Sequence, residues 1–240
     1  IFNFTPVIRN FRDKTEMETY QLSDLDDLNT ENPVVRDLLK DSYNYWIKEA
    51  GVDGFRVDTA KYVSHDMLND FFHSEDGVLN KAKSLGKDDF FAFGEIWDYS
   101  APYEDSADTK LRSYMGSESK PELPSVINFP LQGTMRNVFA TGAPTAELGY
   151  RLETLKRIYE DPTRIVTFLD NHDMDRFVKV GSPGSFKQAL TSLLTLPGIP
   201  VIYQGTAQMH TGQRDSMFAA GHGSDGVNSF EEKGDLYQFI

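Results

Sequence analysis

The segment GVDGFRVD, Gly51–Asp58, joins the end of a helix to a short strand, and its reading sets the fold. Upstream, residues 33–50 place Val35, Leu38, Leu39, Tyr43, Trp46, Ile47 and Ala50 at helical spacing. Asn32 can cap that helix, Pro33 suits its first turn, and Gly51 suits the left-handed position just past its end. Val52–Asp58 then alternates as a strand does, with Phe55 and Val57 on one face and Arg56 and Asp58 on the other.

The same helix-then-strand phrase recurs along the chain. Residues 65–83 precede DFFAFGEIW (Asp89–Trp97), and residues 103–115 precede PSVINFP (Pro124–Pro130), a short strand cut off by proline. Residues 145–160 lead into RIVTFLDNHD (Arg164–Asp173), and residues 186–196 into GIPVIYQG (Gly198–Gly205). Alternating α and β units with apolar strands predict a parallel sheet covered by helices. An open doubly wound sheet and a closed (β/α)8 barrel share this pattern. The polar residues favour the barrel: Asp58, Glu95 and Asp170–Asp173 all fall at the C-terminal ends of strands, with no Gly-rich phosphate loop among them. Residues 1–30 show no sustained period and read as irregular loop, while the Gly-, Ser- and Asp-rich residues 206–240 begin as the loop after the last strand.

The chain has 240 residues, 39% of them hydrophobic and 25% charged, which is enough apolar material for a sizeable core. Its formal net charge of −13 opposes binding to phosphate backbones and anionic membranes. With no cysteine, disulfides and thiolate metal sites are excluded. No apolar run reaches the length of a membrane span, and residue 1 opens neither a signal peptide nor an initiator-Met sequence, so the chain is expected to be a mature form or an excerpt.

Three strand-end carboxylates, an arginine and a histidine suit one chemistry in particular. Arg56 and Asp58, two apart on a strand, project to the same side, and a guanidinium there keeps the acid ionised, as a nucleophile requires. Glu95 ends a strand rich in aromatic residues, where desolvation and neighbouring anions raise a carboxyl toward general-acid duty. One acid kept ionised and one kept protonated is the division used to cleave glycosidic bonds. Each residue taken singly also has a structural reading, as a strand-end ion pair or a solvated rim group. Their joint placement outweighs it.

Longer segments sharpen this. GFRVDTAKYV (Gly54–Val63), FGEIWD (Phe93–Asp98) and FLDNHDMDR (Phe168–Arg176) resemble three signature segments of the α-amylase family, glycoside hydrolase family 13, in the family's order. LPGIPVIYQG (Leu196–Gly205) is similar to the family's last barrel strand, and QLSDLDDLN (Gln21–Asn29) to a motif in the loop domain before the fourth strand. The resemblance implies Asp58 as nucleophile, Glu95 as general acid/base and Asp173 as a third acid that grips sugar hydroxyls. It implies sugar-site roles for Arg56, for His172 and, on the leaving-group side, for Lys61 and Tyr62. The implied reaction is retaining hydrolysis of α-1,4-glucosidic bonds in starch-like glucans, with the Asp58 and Glu95 carboxyls about 5–5.5 Å apart.

Organisation follows from the same resemblance. Residues 1–30 would be the remnant of the loop domain, 31–205 strands four to eight of a (β/α)8 barrel, and 206–240 the post-strand loop and the start of a last helical region. The remainder of the polypeptide, strands one to three and a C-terminal β domain, is then an expected partner. Five open parallel strands are a poor candidate for independent folding. A glucan polymer as substrate implies an extracellular or periplasmic location, and no organic cofactor is expected.

Some positions depart from the family pattern. Tyr62 stands where the family usually has histidine, Ser23 where proline commonly precedes Asp24, and Ala207 where an acid is frequent. Asp24 and the Tyr62 carbonyl are the positions that would contribute to a structural Ca²⁺, although Asp24 could equally cap a turn. Trp97, Tyr99, Phe129 and Tyr203 join Tyr62 at or beyond strand ends, where rings can stack on sugars; Trp97 and Tyr99 are the better placed. Cyclomaltodextrinase, α-glucosidase and transglycosylase activities would share every motif. Two other readings stay open: a catalytically inactive binding or chaperone homologue, and a barrel that holds a divalent metal for proton abstraction.

Overall fold

A computed structural model describes residues 1–240, which divide into two compact units: residues 1–97 with 110–126, and residues 98–109 with 127–240. No helix is long and apolar enough to cross a membrane.

The first unit opens with structure that the sequence did not announce. β1 (Phe2–Asn3) pairs antiparallel with β2 (Asp27–Leu28), and between them runs α1 (Lys14–Thr19), capped by the Asp13 carboxylate on the Glu16 amide. Two-residue strands and so short a helix leave no detectable period. α2 (Pro33–Tyr45) starts as expected, with the Asn32 side chain accepting from the Val34 amide at 3.0 Å. Its last turn widens into a π-helix, Trp46–Ala50, and ends at Gly51 with φ of 70°. The predicted apolar stripe is only partly buried: Val35 and Ile47 point into the core, whereas Leu38, Tyr43 and Trp46 are exposed. Lys40 takes a buried place instead, held by Asp76 at 2.9 Å and by Asp37 and Asp70 at 3.6 Å.

β3 (Gly54–Val57) pairs in parallel with β4 (Phe91–Gly94), shorter than the strands predicted but in the expected places. The intervening helical stretch is two helices, α3 (His65–His73) and α4 (Val78–Ser84), broken by a turn in which the Gly77 amide donates to the Ser74 carbonyl. β5 (Gly116–Ser117) and β6 (Lys120–Pro121) form a small antiparallel hairpin. Aromatic contacts join the sheet to α2 and to the turn before β4, with Phe55 edge-on to both Tyr43 and Phe90.

The second unit contains the start of α5 (Ser106–Ser113), then α6 (Phe129–Thr141), α7 (Thr145–Ile158), β7 (Val166–Phe168), α8 (Phe177–Val180), α9 (Pro183–Thr195) and β8 (Ile199–Val201). β7 and β8 are parallel, and Ile127 bridges to Val166 on the other side of β7. Here the reading of Pro124–Pro130 as a strand needs correction: only Val126 and Ile127 make bridges, and a helix follows at once. Asn128 caps α6 by accepting from the Leu131 amide at 2.8 Å, and Pro130 sits in the first turn, where its missing N–H costs nothing. The proline starts a helix.

Candidate active site

The parallel register of the first unit explains how two acids far apart in sequence meet. Gly54 lies opposite Phe91 and Val57 opposite Gly94, so the next pair in line is Asp58 and Glu95. In parallel strands, residues at the same level project to the same face. The Glu95 amide extends the ladder by donating to the Val57 carbonyl at 2.9 Å. Gly94 allows the close packing behind it, since a Cβ there would lie 2.3 Å from Leu123 Cδ1.

One guanidinium serves both acids. Arg56 Nη1 donates to Asp58 Oδ1 at 2.5 Å, and Arg56 Nη2 lies 3.2 Å from Glu95 Oε1. Their surroundings differ sharply: the Asp58 side chain is 64% exposed and that of Glu95 is 7% exposed. Burial raises the Glu95 carboxyl above its usual range, and its hydrogen bond to the Asp58 carboxylate and that acid's charge push the same way. The Thr59 amide, donating to Glu95 Oε2 at 3.1 Å, and the Arg56 charge oppose the rise without cancelling it. Thr59 makes that bond from a left-handed backbone, φ 47°, a conformation that costs a β-branched residue about 1–2 kcal/mol. The strain turns an N–H toward the buried acid. No side-chain signal in the sequence marked Thr59.

This arrangement fixes the sign of a pH effect. Arg56 lowers the Glu95 proton affinity, so with Glu95 as the general acid that the resemblance implies, Arg56→Met is expected to move the alkaline limb of kcat/KM to higher pH. A limb that stays in place or moves downward would show that Glu95 is not the group titrating there.

Lys61 Nζ donates to the Trp97 carbonyl at 2.7 Å, which ties the segment after β3 to the segment after β4. Tyr62 is half-buried, edge-on to Phe11, and lines an apolar cavity of about 430 Å³ that Arg56 and Asp58 also border. Trp97 is 38% exposed. In the second unit, His172 Nε2 lies 3.1 Å from Asp173 Oδ2, and Arg214 pairs with the other oxygen, Asp173 Oδ1. Sequence reasoning overlooked Arg214. Of the aromatic candidates, Tyr99 is exposed and Tyr203 half-buried, but Phe129 is wholly buried between Tyr99 and Phe168 and has no face for a sugar.

The proposed calcium ligands are a poor fit to a cation. Asp24 is exposed beside the Leu22–Leu25 bridge, and no three acids or histidines gather closely enough to hold a metal.

Comparison with known proteins is decisive for the family. The model of the α-amylase catalytic domain matches residues 12–236. The chain belongs to the α-amylase family. It is 32% identical over 240 residues to a beta/alpha-amylase of Paenibacillus polymyxa, covering 96% of this chain and 17% of that protein. To an alpha-amylase of Streptomyces lividans it is 33% identical over 230 residues, covering 85% of this chain and 23% of the other. Among solved structures, CldA, a cyclomaltodextrin glucanotransferase, superposes with a TM-score of 0.79 at 30% identity over 99% of this chain and 45% of that one. The chain therefore spans a minor share of these relatives' lengths, and its fold is the α/β fold of their catalytic domain.

Proposed function

We propose that this α-amylase-family chain carries the cleavage machinery of a retaining enzyme acting on α-1,4-glucosidic bonds of starch-like α-glucans. Asp58 is the nucleophile, Glu95 the general acid/base, and Asp173, with His172, braces the sugar. The observation that carries the reading is the shared guanidinium: Arg56 stands at once against an exposed carboxylate and a buried carboxyl that burial pushes above its usual range. An exposed ionised acid can attack the anomeric carbon, while its buried neighbour delivers a proton to the departing oxygen. Attack forms the bond from Asp58 to the anomeric carbon and breaks the bond to the leaving oxygen. Glu95 then takes a proton from water as that water displaces Asp58.

Asp58 and Glu95 are held on one guanidinium, at 2.5 Å from Nη1 and 3.2 Å from Nη2, and a shared partner favours the close pair of a retaining enzyme over the separation of about 6.5–9.5 Å that an inverting pair needs for its water. That proximity favours two displacements with net retention. Hydrolysis and glycosyl transfer share the first displacement and differ in what accepts the sugar. The reading favours water, with cyclodextrin, maltose and acceptor sugars as the comparison substrates. A polymeric glucan substrate is in keeping with an extracellular or periplasmic location, which is part of the same proposal. The test is the anomeric form of the first product: NMR of a fresh starch digest should show the α-anomer appearing before mutarotation. Initial release of the β-anomer would refute the double displacement.

A further inference from the structure

We propose that Arg214, in the loop after β8, is a positioning residue for Asp173, acting through a two-point clamp built into that loop. The inference rests on the reading of Asp173 as the acid that braces the sugar. Arg214 Nε donates to the His172 carbonyl at 3.0 Å while its Nη2 binds Asp173 Oδ1. The clamp therefore grips both the backbone before the acid and the acid itself. With His172 Nε2 at the other oxygen, the plane of the carboxylate is defined from two sides. Asp173 is further tied at its own amide, which donates to Asn171 Oδ1 at 2.9 Å.

A long exposed arginine does little unless its base is fixed. The Arg214 side chain is 65% exposed, so the ion pair alone is weak in water. What makes it effective is the anchorage of its loop. The buried Arg176 donates to the Gln204 carbonyl at 2.6 Å and to the His210 carbonyl at 3.2 Å, and its guanidinium lies 4.3 Å from the Tyr203 ring centre. The Tyr203 hydroxyl then donates to the Gln213 carbonyl at 2.9 Å, next to Arg214 itself. Arg176 follows Asp173 by three positions, so one short segment carries both the acid and the group that fixes the loop bearing its clamp.

The test is a double-mutant cycle in the full-length polypeptide, assayed on soluble starch. Arg214→Ala should lower kcat about tenfold with KM within about twofold, the loss of roughly one charge-assisted hydrogen bond. In an Asp173→Asn background the same substitution should change kcat less than about twofold, because the residue it acts through is already disabled. Arg214→Lys, which keeps the charge but loses the fork, should recover only part of the activity. An unchanged kcat in Arg214→Ala, or an equal loss in both backgrounds, would overturn the clamp. If Asp173→Asn itself leaves starch cleavage intact, the reading of Asp173 fails instead.

Discussion

Asp58→Asn is expected to lower kcat on soluble starch by about 10⁴-fold or more, the scale seen when a nucleophile is removed from an otherwise intact site. KM should move little, because the amide keeps the shape of the side chain and the sugar-binding groups stay in place. Folding should be nearly indifferent as well: Asp58 is 64% exposed, and an ion pair at that exposure contributes about 0–1 kcal/mol. The same substitution removes the anion that helps hold a proton on Glu95, so what activity remains should lose its alkaline limb at lower pH than the parent. Steady-state kinetics on starch together with a melting curve check all three. A variant that melts like the parent yet keeps a tenth of its turnover would remove Asp58 from the nucleophile's position and the double displacement with it.

The sequence was legible where chemistry and register coincide. Asp58 and Glu95 are separated by the same interval that separates Gly54 from Phe91 in the sheet, so strand ends identified from apolar pattern carry the acids to one level. The caps of α2 were equally readable, because Asn32, Pro33 and Gly51 each act through their own backbone. Asn128 and Pro130 repeat the Asn-then-Pro signal of α2 at α6, and that signal was available; a short apolar run before it drew the reading toward a strand. Thr59 and Arg214 were not legible. Thr59 functions through an amide whose direction depends on a strained φ, and any side chain would offer that amide. Arg214 lies in a segment without period, and its meeting with Asp173 depends on a loop path set by Arg176 and Tyr203. Local pattern reports elements; it does not report where an aperiodic loop returns.

A second large effect concerns stability, in a place remote from sequence motifs. Arg151 and Asp108 form an ion pair with side chains 2% and 0% exposed, so neither charge has water to fall back on. Burial pushes the Asp108 carboxyl up to about 6, while the Arg151 charge and hydrogen bond pull it back down. Asp108→Ala leaves the guanidinium buried with only the hydroxyl of Thr134, 3.4 Å from its Nε, to meet it. Breaking a buried pair from one side costs about 3–5 kcal/mol. For a domain of this size that is a fall in Tm of roughly 6–20 °C. Replacing both partners, Asp108→Leu with Arg151→Met, removes the orphaned charge and should restore most of the loss. The pH dependence carries its own sign. A carboxyl whose folded value is raised binds its proton more tightly in the native state, so its contribution to stability is full below the unfolded value of about 3.9 and is lost as pH rises through about 6. Calorimetry of parent and Asp108→Ala across that window should therefore show the parent's advantage shrinking toward neutrality. An advantage that grows with pH would mean that Arg151 overcomes burial and Asp108 is ionised throughout.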